Sequence, residues 1–187
     1  NVMKKILIIL IAIWILLVYY PNPMMLFGSV ARFIDPVQSE QVIDFAEIMP
    51  NNSTEIERLT EDYIQVETDW EQYKVPWYFP SAEQVVNEAT GDCKHRAVLL
   101  ASVLDAKGIE YDFRFGVTHF WVDYDDKYIG EFEEKWESGK APPTNFLIKN
   151  YYSYLFGAIP LDRKVLLIVG PIVIILISML IKKKRSI

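Results

Sequence analysis

The two ends of this chain are apolar and its middle is charged. Val165 to Ile181 runs seventeen residues without a charge. As a helix that is about 26 Å, close to the roughly 30 Å of a bilayer's hydrocarbon core. Lys182-Lys183-Lys184-Arg185 closes it. Near the other end, Lys4-Lys5 precede Ile6 to Tyr20, fifteen uncharged residues, which reach only about 22 Å. Pro21-Asn22-Pro23 interrupts, and Met24 to Ala31 is again apolar. The span either runs past a proline kink or ends near Tyr20 and hands over to an interfacial helix through Ile34. A cleaved signal peptide is a third reading, which the segment's presence in the chain weighs against. Tyr19 and Tyr20 suit a membrane interface. Basic clusters at both ends read as cytoplasmic under the positive-inside rule, and Arg163-Lys164 dilute that signal without reversing it. Both termini then lie inside and the acidic middle lies outside. The basic tail also suits anionic lipid head groups. Neither span has an ionisable residue in its interior, which disfavours a transporter or channel.

The expected organisation is a transmembrane helix at 4–20, with a kinked continuation to about 34 as its variant, and a linker at 35–52. An extracytoplasmic domain at 53–160 follows, then a second transmembrane helix at 164–181 and a basic tail at 182–187. A net charge of -6 argues against a nucleic-acid partner. A single cysteine excludes an intrachain disulfide.

Within the middle, Asn52 or Ser53 caps a helix over Thr54 to Asp69 that buries Ile56, Leu59, Tyr63 and Ile64. Tyr73 to Pro80 is aromatic and proline-broken, a loop packed on the core, with Trp77 assigned to the core rather than to a cleft. Ser81-Ala82-Glu83-Gln84 is a capping box opening a short helix to Glu88. Ile109 to Val117 alternates as a strand, with Tyr111, Phe113 and Phe115 on one face. Val117 to Tyr124 is the next strand, Asp125-Asp126-Lys127 a hairpin turn and Tyr128 to Phe132 the return strand. Asn145 to Phe156 is aromatic-rich and either packs under the domain or forms a belt at the membrane surface.

Chemistry concentrates at Thr90-Gly91-Asp92-Cys93. Gly91 permits a tight turn, Asp92 is a suitable N-cap, and Cys93 opens a helix carrying Val98, Leu99, Val103 and Leu104, closed by Gly108. A thiol in a helix's first turn faces unpaired N–H groups and the positive dipole end, which is expected to lower its pKa. His119 lies on the following strand, where His119, Trp121 and Asp123 share a face. A helix-borne thiol and a strand-borne imidazole can form a nucleophile–base pair. The structural alternative is a buried apolar-like cysteine and a satisfied histidine. Cys93, His95 and His119 make a poor tetrahedral metal set, because Cys-x-His in one helical turn lacks further ligands. His95 reads as a helix-surface or cleft-edge residue, and no cofactor is implied.

Gly91-Asp92-Cys93 at a helix start and His119-Phe120-Trp121-Val122-Asp123 on a strand resemble the transglutaminase-like superfamily of papain-fold thiol enzymes. The resemblance covers about residues 53 to 135. The family's third block, an Asp followed by Pro, is absent; the corresponding stretch is Tyr128-Ile129-Gly130-Glu131-Phe132-Glu133-Glu134. The resemblance implies an α+β core, with the Cys93 helix packed on an antiparallel sheet; the apolar ends would flank it with N- and C-terminal membrane helices. It implies acyl transfer: Cys93 attacks a carbonyl, His119 handles the proton, and an acid orients His119. The family places that acid two residues before the position opposite the histidine, which picks Glu131, with Glu133 as runner-up and Asp123 as a solvent or rim acid. The Cys93 backbone N–H is a candidate oxyanion donor. Water as acceptor gives a cysteine protease or amidase, and an amine gives cross-linking. The substrate would be a peptide or protein outside the cytoplasm. The rival reading is a catalytically inactive scaffold serving as accessory subunit of a membrane complex.

Overall fold

The computed structural model describes residues 2–116, 119–127, 148–149, 151–153 and 157–184. Its organising element is a helix buried on every side. This is α7, Cys93–Ala106, whose residues Ala97 through Leu104 are all buried. The sequence suggests a one-sided apolar stripe, but small residues at Ala97, Ala101 and Ser102 let neighbours close in on the other faces as well. Earlier in the chain lie α1 (Val2–Tyr19), α2 (Pro23–Ile34), a 3-10 turn (Ser39–Gln41), α3 (Ile43–Ile48) and α4 (Ser53–Tyr63). Then come β1 (Gln65–Val66), α5 (Asp69–Gln72), α6 (Ala82–Glu88) and β2 (Thr90–Gly91). After α7 come β3 (Asp112–Phe115), β4 (Phe120–Asp123) and a long helix, α8 (Leu161–Lys184). Helices α3, α4 and α6 and strand β4 pack around α7, giving an α+β fold.

The caps match the sequence. Asn52 Oδ1 accepts from the Glu55 N–H at 2.9 Å, and Ser81 with Gln84 forms the expected capping box. Gly108 takes a left-handed φ of 66° just past α7, where glycine carries no Cβ penalty. Helix α4 stops at Tyr63, short of the expected Asp69. Thr68 begins a new capping box with Glu71, and Gln65–Val66 pairs in parallel with Thr90–Gly91 instead. The buried face of α4 is Ile56, Thr60 and Ile64, spaced by four, while Tyr63 is exposed.

Strands β3 and β4 pair antiparallel, with Asp112 opposite Asp123 and Phe115 opposite Phe120. The turn at Asp125-Asp126 closes with Lys127 N–H donating to the Tyr124 carbonyl at 3.2 Å. The expected return strand 128–132, with Glu131 and Glu133, lies outside the described residues, as do Phe146, Tyr154 and Phe156. Tyr151 and Tyr152 are exposed. Trp77 packs against the core, as expected of the aromatic loop.

The expected linker 35–52 is part of the core. Val42 and Ala46 are buried in it. Gln38 N–H donates to the Ser102 hydroxyl at 3.0 Å, and Gln38 Oε1 accepts from the Ala82 N–H at 3.2 Å. A polar stretch looks like a linker by composition, but its side chains here satisfy backbone groups of the helices beneath.

Leu161–Lys182 is long and apolar enough to cross a membrane. Helix α1 meets that test only together with α2, and the two bend by 78° at Tyr20–Asn22. Asn22 caps α2 and Pro23 occupies its first turn. Helix α2 docks on the domain: Arg32 Nε donates to the Phe79 carbonyl at 2.5 Å, and the Ser29 hydroxyl accepts from the Phe79 N–H at 3.0 Å. Phe33 packs edge-on to Phe79 and Phe120. Tyr19 and Tyr20, expected at an interface, pack on the domain instead: Tyr20 is buried and its hydroxyl donates to the Trp77 carbonyl at 3.0 Å, and the Tyr19 ring meets Trp70. Helices α1 and α8 pack together. Trp14 lies on Gly170 and donates from Nε1 to the Leu166 carbonyl at 2.9 Å, and Arg163 donates to the Val18 carbonyl near the end of α1.

Candidate functional site

Cys93 sits in the first turn of α7 because Asp92 caps it. Asp92 Oδ1 accepts from the Lys94 N–H at 3.1 Å, and the chain arrives through Gly91 at φ 149°. His95 completes the cap in the place a Glu or Gln usually takes. Its Nδ1 lies 3.2 Å from the Asp92 backbone N and 3.0 Å from Asp92 Oδ1. His95 is completely buried, which corrects its expected place at a helix surface or cleft edge: the ring fills the space above Gly91, which has no side chain of its own.

Behind the thiol stands a buried charge network that the sequence does not announce. Lys94 Nζ donates to Asp69 Oδ1 at 2.9 Å and also to Asp92 Oδ2, with Lys94 and Asp69 almost fully buried. Asp69 further accepts the Tyr78 N–H at 3.0 Å. Tyr73 lies 3.3 Å from His95 Nε2 and donates its hydroxyl to Glu88 at 2.5 Å. Burial pushes the Asp92 carboxyl up, but His95 and Lys94 outweigh it and hold the pKa at about 2. Burial, countered by Lys94, raises that of Asp69. Burial lowers the Lys94 pKa, yet Asp92 and Asp69 more than reverse this, so it stays an ammonium. Asp69, Asp92 and His95 converge within 4.8 Å, as ligands of a metal would. The Lys94 ammonium, bonded to both carboxylates, already supplies the positive charge there. Only Lys94's place at the second helical position hints at this network, since Asp69 is 25 residues upstream.

Cys93 and His119 line one cavity of about 280 Å³, with Phe120 and Trp121 of the following strand. Burial raises the Cys93 pKa, and the Asp92 charge adds to it. The backbone amides of Phe120 and Lys94 act the other way by hydrogen bonding to the sulfur, as does the Lys94 charge. The expected depression by the helix terminus is therefore reversed: desolvation and the capping carboxylate outweigh it. The amide after His119 thus reaches the Cys93 sulfur. The His119 ring stacks at 5.7 Å on Trp121, which holds it on the expected strand face. Asp92 caps the Lys94 amide rather than that of Cys93, so the proposed oxyanion donor is not taken by the cap.

No family model, curated protein or solved structure matches this chain.

The acids divide clearly. Asp123 opens onto a different, larger depression of about 730 Å³ beside Asp105 and Asp112, away from Cys93. Glu131 and Glu133 lie outside the described residues. Among the described residues, four buried side-chain polar atoms lack a hydrogen-bond partner: Thr60 Oγ1, Gln72 Oε1, Arg96 Nε and Trp121 Nε1. Three of the four residues line the cavity with Cys93 and His119. Sequence reasoning assigns none of these three a role. For Arg96 the available signal was its place one turn after Cys93 on the same helix face.

Proposed function

We propose that the chain is a membrane-anchored thiol enzyme of the transglutaminase-like kind, carrying out acyl transfer or amide hydrolysis on a peptide or protein outside the cytoplasm. The observation that carries this reading is that Cys93, at a capped helix start, and His119, beside the strand whose first amide reaches the sulfur, line one cavity. The raised thiol pKa favours activation on demand rather than a standing thiolate. His119 takes the Cys93 proton as sulfur attacks the substrate carbonyl, and the thioester forms as the amine leaves with that proton. Water or a second amine then resolves the thioester. Glu131 is the proposed orienting acid, with Glu133 next. In this reading both α1 and α8 cross the bilayer with the termini inside. Helix α2, turned by 78°, then lies along the interface, with exposed Met24, Phe27 and Ile34 toward lipid.

The test uses p-nitrophenyl acetate as acyl donor with the detergent-solubilised full chain. We expect a burst of one nitrophenolate per chain and a 42 Da acetyl adduct on Cys93. Cys93→Ala abolishes both, and His119→Ala slows acylation at neutral pH by about a hundredfold or more. A wild-type trace identical to that of Cys93→Ala rules out the enzyme. The scaffold reading then takes over; the desolvated thiol beside Asp92 is the observation in its favour.

A further inference from the structure

We propose that the cavity beside Cys93 is a subsite for a carboxylate on the substrate, with Arg96 and Trp121 as its recognising groups. This rests on the reading of Cys93 and His119 as the reacting pair, and it adds the class of substrate.

The charges lining the cavity do not cancel locally. Lys127 is spent on Glu57 at 3.2 Å and on the Val122 carbonyl at 2.6 Å. Asp92 is spent on Lys94 and His95. Arg96 has no ion-pair partner among the described residues; its one hydrogen bond goes from Nη2 to the Ile64 carbonyl at 3.2 Å. A guanidinium is a permanent cation with five donors, and here its Nε is buried and unpartnered. Trp121, only 8% exposed, lines the same cavity and has a buried, unpartnered Nε1, and Thr60, 1% exposed, an unpartnered hydroxyl. Buried donors without acceptors are rare in native proteins. Arginine and tryptophan can only donate, so the missing partner is an acceptor.

The wall also sets its charge. Of the acids lining the cavity, Glu57 is held by Lys127, while Glu61 is exposed and would repel a dianion; a single negative charge balances Arg96. A carboxylate fits, and its two oxygens suit a guanidinium. At about 280 Å³ the cavity is just below the roughly 300–1,000 Å³ of ligand sites, so it takes a residue-sized fragment. The substrate would therefore present a carboxylate next to the acyl group that Cys93 attacks.

The test is calorimetric titration of the full-length Cys93→Ala chain in micelles with three probes. These are acetyl-glycyl-glycine, its C-terminal amide, and acetyl-glutamic acid α-amide, whose only carboxylate is on the side chain. We expect one of the two acids to bind at least tenfold tighter than the neutral amide. Which acid wins tells a chain-terminal carboxylate from a side-chain one. Arg96→Gln removes the preference. Trp121→Phe, which keeps the Arg96 charge, weakens the preferred acid at least threefold and serves if Arg96→Gln does not fold. Equal binding of acid and amide, or no binding of any probe at millimolar concentration, overturns the proposal. Because these titrations need no thiol, a carboxylate preference found with an inert Cys93 would remove the catalytic reading and leave the subsite standing.

Discussion

The imidazole of His95 occupies the space where a side chain on Gly91 would begin: a Cβ there would sit 2.1 Å from His95 Cγ. The ring is wholly buried, so it has nowhere to retreat, and the Gly91 φ of 149° is itself unfavourable for any other residue. Gly91→Ala should cost about 3 kcal/mol or more, from backbone strain and the displaced cap together. Chemical denaturation of the variant in micelles, at unchanged m-value, measures it. A loss under about 1 kcal/mol would show that the ring can move aside.

Cys93 is held as a neutral thiol by burial and by Asp92. Without substrate, its alkylation by iodoacetamide should therefore rise with pH only above the ordinary thiol midpoint of about 8.5. Asp92→Asn keeps a helix cap but removes the negative charge beside the thiol, while Lys94 stays paired with Asp69. The midpoint should then move down. An unchanged midpoint would leave desolvation as the sole cause.

Lys94 neutralises two carboxylates in the interior. Lys94→Met, similar in length, strands them and should cost about 3–5 kcal/mol, read as a fall in denaturation midpoint.

Asp92, with a folded-state pKa near 2 against an ordinary carboxylate value near 4, contributes stability that is fully present above about pH 4. As pH falls from 4 through 2, about 2 kcal/mol is lost, because the unfolded chain takes the proton first. Asp69, whose pKa is raised, contributes with the opposite sign as it protonates. Asp92→Asn should flatten the part of the acid slope between pH 4 and 2, measured by denaturation at several pH values. Wild type and variant with parallel profiles would contradict this assignment.

Helices α1 and α8 meet where a Cβ on Gly170 would lie 1.9 Å from Trp14 Nε1. Gly170→Val should lower thermal stability in micelles by about 1–3 kcal/mol through overpacking. Gly157→Val is the control, since nothing lies within 4 Å of that position.

Local chemistry was readable in the sequence and distant pairing was not. The caps at Asn52, Ser81 and Asp92 and the stop at Gly108 depend on residues within one turn, and they form as expected. The juxtaposition of Cys93 and His119 followed from a motif that spans a helix and a strand. What failed depended on contacts far along the chain. Helix α4 ends early because Gln65 and Val66 find Thr90 and Gly91. The stretch after α2 is drawn into the core because Ser102, buried inside α7, needs a partner and Gln38 supplies it. The thiol's raised pKa is a balance between a helix end, whose effect spacing predicts, and desolvation, which depends on everything packed above it. Arg96 and Trp121 were invisible as a pair, since only the fold brings position 96 of a helix beside position 121 of a strand.

Because α7 is enclosed on all sides from Ala97 to Leu104, its middle turns share the fate of the whole domain. Its neighbours cannot peel away one at a time, so opening the middle turns of α7 requires the same free energy as global unfolding. Amide protons along Val98–Leu104 should exchange at one common, slowest rate.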